Sequence, residues 1–575
     1  MNINTTGTII IDYIDSHFVY NETEIISFPV TLINSDPVDS LLVVYLNFTY
    51  TIGASIYFII GSNNIIIDGN NIPKVIDAVD YGGLIWNGTS EDIPYNLIIV
   101  RNITVSGNGT LATGAGWICG QYFGNCQMIN CSSELPISYG GGLFGSNCDT
   151  CTATNCYTTG EIYSGGGIFG NNCDNCTAVS CHTTGNIDYG GGIFGHETIG
   201  CSATLCHTTG IISSYAGGIF GSMTNQEKSN ITCTATKCYS TGSIGGIQVI
   251  SSLVYSCGGI FGPNCNASAE NCICEAIDCY SLGDIFGAPE NSGCGGIFAS
   301  NCNAGSASST CIATRCFSAG NIGIYCGGIF HQGRNLEAND CYSIGNIGSN
   351  GGGIIGYGAT RATVSHCYSV GNINDYAGGI LGPSVLNCTL IKCYTTGSTV
   401  ATAGGLVGSY ANNITLTDCY TTAEQLYGSD NNIELFTITN CIVENGSWDD
   451  TNAMTTIEID SDDHWTRTGI NTPPLLSLHN EVKRMPKGFE YVYTIGDTQE
   501  VIDDVITVKL LIGYYKDEQE TDTAINSDIY GYTIKDHDMN VTLGAVLTQS
   551  NISTFVVTYR RYKSIWITNL EALKL

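Results

Sequence analysis

Basic residues are scarce in this 575-residue chain: Lys and Arg total 19 against 51 Asp and Glu, a formal net charge of −32. Such a polyanion is repelled by nucleic acid and by anionic lipid, which sets aside nucleic-acid binding and polybasic membrane attachment. Charge of either sign is sparse, at 12% of residues, so the chain is not a charge-rich disordered tail. Proline is rare, at 11 residues. No apolar run approaches the roughly 18 residues that read as a membrane-spanning helix, so no membrane insertion is expected. The opening MNINTTGTIIIDYIDSHF has no basic stretch followed by a long apolar one. No cleaved export signal is therefore expected: either the chain is cytosolic, or an extracellular or virion-surface location is reached by another route.

What the chain does have is 72 Gly, 33 Tyr and 29 Cys, with abundant Ile and Thr. That mixture fits short strands joined by tight turns. Self-similarity organises them. The pentapeptide GGIFG and its variants begin at Gly141, Gly166, Gly191, Gly217, Gly258, Gly295, Gly327, Gly352, Gly378 and Gly404, after a degenerate GWICG at Gly116. Most steps are 25 or 26 residues, and those between Gly217 and Gly327 are longer, at 41, 37 and 32. A second marker, Cys-aromatic-Ser/Thr-x-Gly as in CYTTG, recurs with the same period. A period of 25 with Gly-bounded, β-branched stretches predicts an all-β, parallel β-helix solenoid, read as right-handed, in which equivalent residues of successive coils stack as ladders.

GGIFG followed by NNCDNCTAVSCHTTGNI resembles the GLUG-motif repeat, and CYSTG stands almost verbatim at Cys238–Gly242. The resemblance covers about residues 116–441. It implies a surface-exposed β-helix of the kind found in bacterial surface proteins and adhesins, and it implies no catalytic residue. The many cysteines depart from the family pattern. Residues 1–115 carry no Cys and no repeat copy, and they read as capping and irregular coils of the same helix, with YFIIGSNNIIIDGNN and NLIIVRNITVSGNGTL as early rungs. Residues 442–478, with DDHWTRTGINTPPLLSL, read as a closing coil, and 479–575 as a small C-terminal β domain for attachment or oligomerisation.

The cysteines follow columns. The main one runs through Cys131, Cys156, Cys181, Cys206, Cys238, Cys279, Cys316, Cys341, Cys367, Cys393 and Cys419; a second, five residues earlier, includes Cys126, Cys151, Cys176, Cys201 and Cys233. Three readings stay open: ladders of buried free thiols, disulfides at turns with Cys148 and Cys173 as candidates beside Cys151 and Cys176, or metal. CDTC and CDNC give C-x2-C twice, but the repeat period already accounts for that spacing, so no metal and no cofactor is assigned.

Catalytic candidates are few. Eight Lys or Arg are scattered through residues 1–441, no paired Asp motif is recognised at coil spacing, and Asp449/Asp462 is a chance pair at best. The aromatic of CYTTG forms its own column: Tyr157, His182, His207, Tyr239, Tyr280, Phe317, Tyr342, Tyr368, Tyr394 and Tyr420. Exposed, it would stack on sugars or a neighbouring rod; covered, it would only stabilise the coil, and the covered reading is preferred. The expected function is a non-enzymatic structural or adhesive surface rod that self-associates into an oligomer or fibre. The alternatives are a polysaccharide-degrading β-helix enzyme and a soluble glycan-binding module.

Overall fold

The computed structural model describes residues 2–443, except 15–16, 21–23, 27, 49–50, 89–94, 247–255, 288–292, 432 and 440, and beyond them only the backbone of separate strands. Two compact units divide the chain, Met1–Ala453 and Met454–Leu575. The first is a parallel β-helix. Thr177–Val179 pairs in parallel with Thr152–Thr154 on one side and Ser202–Thr204 on the other, each partner displaced by one repeat. The strand that follows in each coil does the same, Tyr157 opposite His182 and His182 opposite His207. This second face is a sheet of 15 strands from Thr51–Ile52 to Ile442–Val443. At ~4.8 Å per strand it extends about 70 Å along the axis.

The corner between these two faces is a single left-handed residue just before each marker cysteine. Asn155, Ser180, Leu205, Lys237, Asp278, Arg315 and Asp340 all have φ between 53° and 57°. Side chains here range from exposed Leu205 to buried Asp278, their identity varies, and charged residues of adjacent coils meet there. Arg315 donates to both carboxylate oxygens of Asp278, at 2.6 and 3.2 Å.

GGIFG marks a tighter bend. A Cβ on Gly217 would collide with the Phe220 carbonyl oxygen of its own coil and the Gly262 nitrogen of the next. Backbone crowding on both sides therefore demands glycine.

Along the axis the coils are not equal. Six positions separate Gly170 from Cys176 and Gly195 from Cys201, but twelve separate Gly221 from Cys233, Gly262 from Cys274 and Ala299 from Cys311. Three successive coils thus carry an enlarged turn. Its interior is a ladder of buried amides: Asn225 donates to Asn266 (3.3 Å) and Asn266 to Asn303 (3.1 Å). The Cys233 and Cys274 thiols donate to Asn225 and Asn266 at 3.1 and 3.2 Å. The enlarged turns are therefore packed and hydrogen-bonded.

At the N-terminal end, Gly7–Ile14 pairs in parallel with Leu42–Leu46, while His17–Tyr20 and Glu24–Ile26 add antiparallel strands beyond it. The first coil is thus not left as a bare parallel edge. Lys74, one of the eight scattered cations, is buried here. Its ammonium donates to the carbonyls of Leu46 (2.8 Å), Ile72 (2.9 Å) and Phe48 (3.0 Å) and lies over the Phe48 ring. Burial pushes its pKa down to about 8.

In the second unit, the described strands form an antiparallel sheet in the order Asp538–Val541, Val505–Leu511, Phe489–Ile502, Val556–Tyr562, Ile565–Thr568. Trp465–Thr466 pairs antiparallel with Leu475–Leu476. Asp449 and Asp462 lie outside the described residues.

Candidate functional site

The columns occupy different environments. All 29 cysteines are buried and carry free thiols. In the main column each thiol donates to a carbonyl of the preceding coil: Cys181 to Ala153 (3.5 Å), Cys206 to Ala178 (3.5 Å), Cys279 to Ala235 (3.3 Å), Cys341 to Ala313 (3.3 Å). In the second column Cys stands in register with aliphatic residues, Cys126 opposite Ile98 and Cys311 opposite Leu336. The thiol acts as a small apolar filler with a weak donor. No disulfide joins the turn pairs. Cys148 donates to the Gly145 carbonyl (3.3 Å) and Cys173 to that of Gly170 (3.4 Å). Burial raises Cys388 to about 11 and Cys326 to about 12, whereas hydrogen bonds from the neighbouring Cys265 and Cys311 thiols bring Cys302 down to about 5; burial keeps reagents from all of them. Among the described residues, no group of three or more His, Cys, Asp or Glu is placed to hold a metal ion.

The CYTTG aromatics stack coil upon coil from Tyr157 to Tyr394. The His182–His207 centroids are 4.8 Å apart and those of His207 and Tyr239 4.6 Å. Cover is uneven: Tyr157 is 36% exposed, His182, His207 and Tyr239 are half-buried, and Tyr280 onward is buried. Both anticipated environments therefore occur in one column. A second ring ladder runs through the phenylalanine of GGIFG, which the flanking glycines mask in the sequence. Phe144, Phe169, Phe194, Phe220, Phe261, Phe298 and Phe330 stack with centroids 4.7–5.0 Å apart and planes within 9°. All are fully buried.

The chemistry-bearing surface lies where the short turns give way to the enlarged one. Asp149 and Asp174 occupy equivalent positions of neighbouring coils and form a parallel bridge. This corrects the sequence reading, which found no paired Asp at coil spacing: CDTC and CDNC drew attention to their cysteines, and the same 25-residue step sets their aspartates side by side. Burial pushes the Asp174 carboxyl up, and the Asp149 charge adds to that, while Lys228 opposes it. Asp174 also lines a hollow of about 520 Å³ with Asn147, Asn172, Glu197, Gln226, Glu227 and Lys228. A second hollow of about 440 Å³ shares Asn172, Glu197 and Met223 with the first, and adds Tyr189, His196, Tyr215 and Ser222. The two form one groove. Met223, Gln226, Glu227 and Lys228 of the enlarged turn form part of its wall.

His196 is anchored in this groove by a 2.7 Å hydrogen bond between Nδ1 and the Ser222 hydroxyl, and its backbone N–H donates to Asn171 Oδ1 (2.8 Å). Burial lowers its pKa, so the ring is neutral near pH 7. Tyr189 and Tyr215 close a row of tyrosines, one per coil, that starts at Tyr139 and Tyr163; successive rings are 5.5–5.9 Å apart. Tyr139, Tyr163 and Tyr215 are 49%, 44% and 39% exposed, so the row faces solvent.

No family model and no curated protein matches the chain. Among solved structures it is similar to a bacteriophage CBA120 tailspike protein 3 (11% identity, 89% of this chain and 64% of that one, TM-score 0.24). It is also similar to the catalytic domain of a GH87 alpha-1,3-glucanase (11% identity, 71% and 64%, TM-score 0.29) and to a Geobacillus virus E2 protein, ORF18 (8% identity, 92% and 69%, TM-score 0.24). The chain thus spans just under two thirds of the length of the first two. At these scores the likenesses assign no activity.

Proposed function

We propose that the protein is a non-enzymatic structural or adhesive rod, displayed on an extracellular or virion surface and self-associating into an oligomer or fibre. The observation that carries this reading is the unbroken register of the coils. Thiol and phenyl columns each continue through many coils and the amide column through three, so bending or twisting one coil would disturb several ladders at once. Stiffness along the axis follows from that construction, and stiffness is what a load-bearing or presenting element requires. Negative-stain electron microscopy of the purified, non-reduced protein across a concentration series tests it. Filaments or defined multi-rod assemblies are expected, and single particles at every concentration would contradict self-association.

The Asp149–Asp174 pair supports a second reading, a polysaccharide-degrading β-helix enzyme. Two carboxylates, one of them raised, are the minimum that glycoside hydrolysis needs. Polysaccharide turnover that disappears in Asp174→Asn would replace the rod reading with this one.

A further inference from the structure

We infer that the groove between the six-position turns and the enlarged turn is a binding site for an extended neutral or amino-sugar saccharide, laid along the helix axis with its rings on the tyrosine row. The inference rests on the adhesive part of the reading above and names the ligand class of that surface.

Four observations converge on it. The groove is concave and roomy, two joined hollows of about 520 and 440 Å³, within the ordinary range of ligand sites. One side is aromatic: Tyr189 and Tyr215 stack at 5.9 Å with planes 28° apart, offering broad apolar faces. The C–H face of a pyranose packs on such a surface while its hydroxyls stay at the edge. Glu197 and Asn172 line the same hollow as the rings, and Asp174 the adjoining one; these carboxylate and amide groups accept from and donate to vicinal hydroxyls. In the wall, Gln226 has a side-chain oxygen that meets no donor among the described residues, an acceptor left over by the protein's own hydrogen bonding.

Charge narrows the class. Asp174, Glu197 and Glu227 outnumber the single cation Lys228, in a chain of net charge −32. An anionic saccharide such as a polyuronate is repelled, whereas a neutral chain or one with free amines is not. Periodicity sets the direction. Each coil advances ~4.8 Å, close to the advance of one sugar unit in an extended chain, and the tyrosines come one per coil. A ligand lying along the axis therefore meets a tyrosine at each coil, with ring planes turned 82° and 68° at the first two steps and 28° at Tyr189–Tyr215, the pair that lines the groove. One lying across the axis meets only one.

The test uses the full chain and isothermal titration calorimetry with hexasaccharides of equal length: linear glucan, mannan and galactan, a glucosamine oligomer, and a polyuronate. At least one of the first four is expected to bind, with the polyuronate weaker by about tenfold or more. Tyr215→Ala and Glu197→Gln, both at solvent-facing positions, are each expected to weaken that binding by about tenfold while the unfolding midpoint stays unchanged. No binding by any of the four, preferential binding of the polyuronate, or binding indifferent to both substitutions overturns the inference. The outcome is separable from that of the rod reading. Filaments without saccharide binding remove the site alone, and saccharide binding by single particles removes self-association alone.

Discussion

Phe220→Ala is expected to lower the stability of the β-helix by about 3–5 kcal/mol. The ring lies between Phe194 (centroids 4.9 Å apart, planes 9°) and Phe261 (4.7 Å, 4°), with no exposed surface. Truncation removes the transfer free energy of the ring, opens a cavity that two stacked neighbours cannot fill, and breaks two ring–ring contacts. In a solenoid stability is approximately a sum over neighbouring coils. The loss therefore falls on the two interfaces flanking this coil, in the middle of the array. Urea unfolding followed by tyrosine fluorescence is expected to show a lower midpoint with the slope preserved, or a split transition if the two halves uncouple. A change below about 1 kcal/mol would mean that the phenyl ladder does not hold the coils together.

Mild acid is expected to destabilise the protein through its histidines. His331 replaces the last glycine of GGIFG, is fully buried, and has neither ring nitrogen hydrogen-bonded among the described residues. Burial pushes its pKa down to about 4. In the unfolded chain an imidazole titrates near 6.5. Between these values the unfolded state binds a proton that the folded state refuses. The His331 contribution is therefore complete above pH 6.5 and falls by about 1.4 kcal/mol per pH unit down to about pH 4, roughly 3 kcal/mol in all. His207 adds in the same direction. Its pKa is also pushed down to about 4, by burial and then by the neighbouring His182 charge, but its partial exposure to solvent reduces the effect. Stability measured from pH 7.5 to 4 is expected to decline along this course, and His331→Phe to flatten it. An unchanged slope in that variant would show that the decline comes from elsewhere.

The repeat makes the architecture legible in the sequence. A 25-residue step with β-branched stretches dictates parallel coils, and a column in the sequence becomes a ladder in space because equivalent residues pair directly, as His182 does with His207. The placement of columns on faces was harder to read. A single left-handed residue such as Asn155 or Arg315 turns the chain by a corner, and those positions show no common side chain because the backbone, not the residue type, makes the bend. Phe220 was hidden behind the glycines that flank it. Asp149 and Asp174 were hidden behind their cysteines. The groove arises from a difference between repeats, the longer turn after Gly221, and a search for sameness passes over it. The uneven cover of the aromatic column, open at Tyr157 and closed at Tyr420, likewise varies along the array and leaves no mark in the motif itself.

A register-locked parallel β-helix holds its cysteines as an interior of reduced thiols. Intact-mass measurement after iodoacetamide treatment, without reductant, tests it most directly. The native protein is expected to take up essentially no label during a short exposure, because every thiol is buried away from the reagent. After unfolding in guanidinium, still without reductant, all 29 cysteines are expected to be alkylated. Rapid labelling of the native protein, or an unfolded protein that leaves cysteines unlabelled in pairs until reductant is added, would contradict the account.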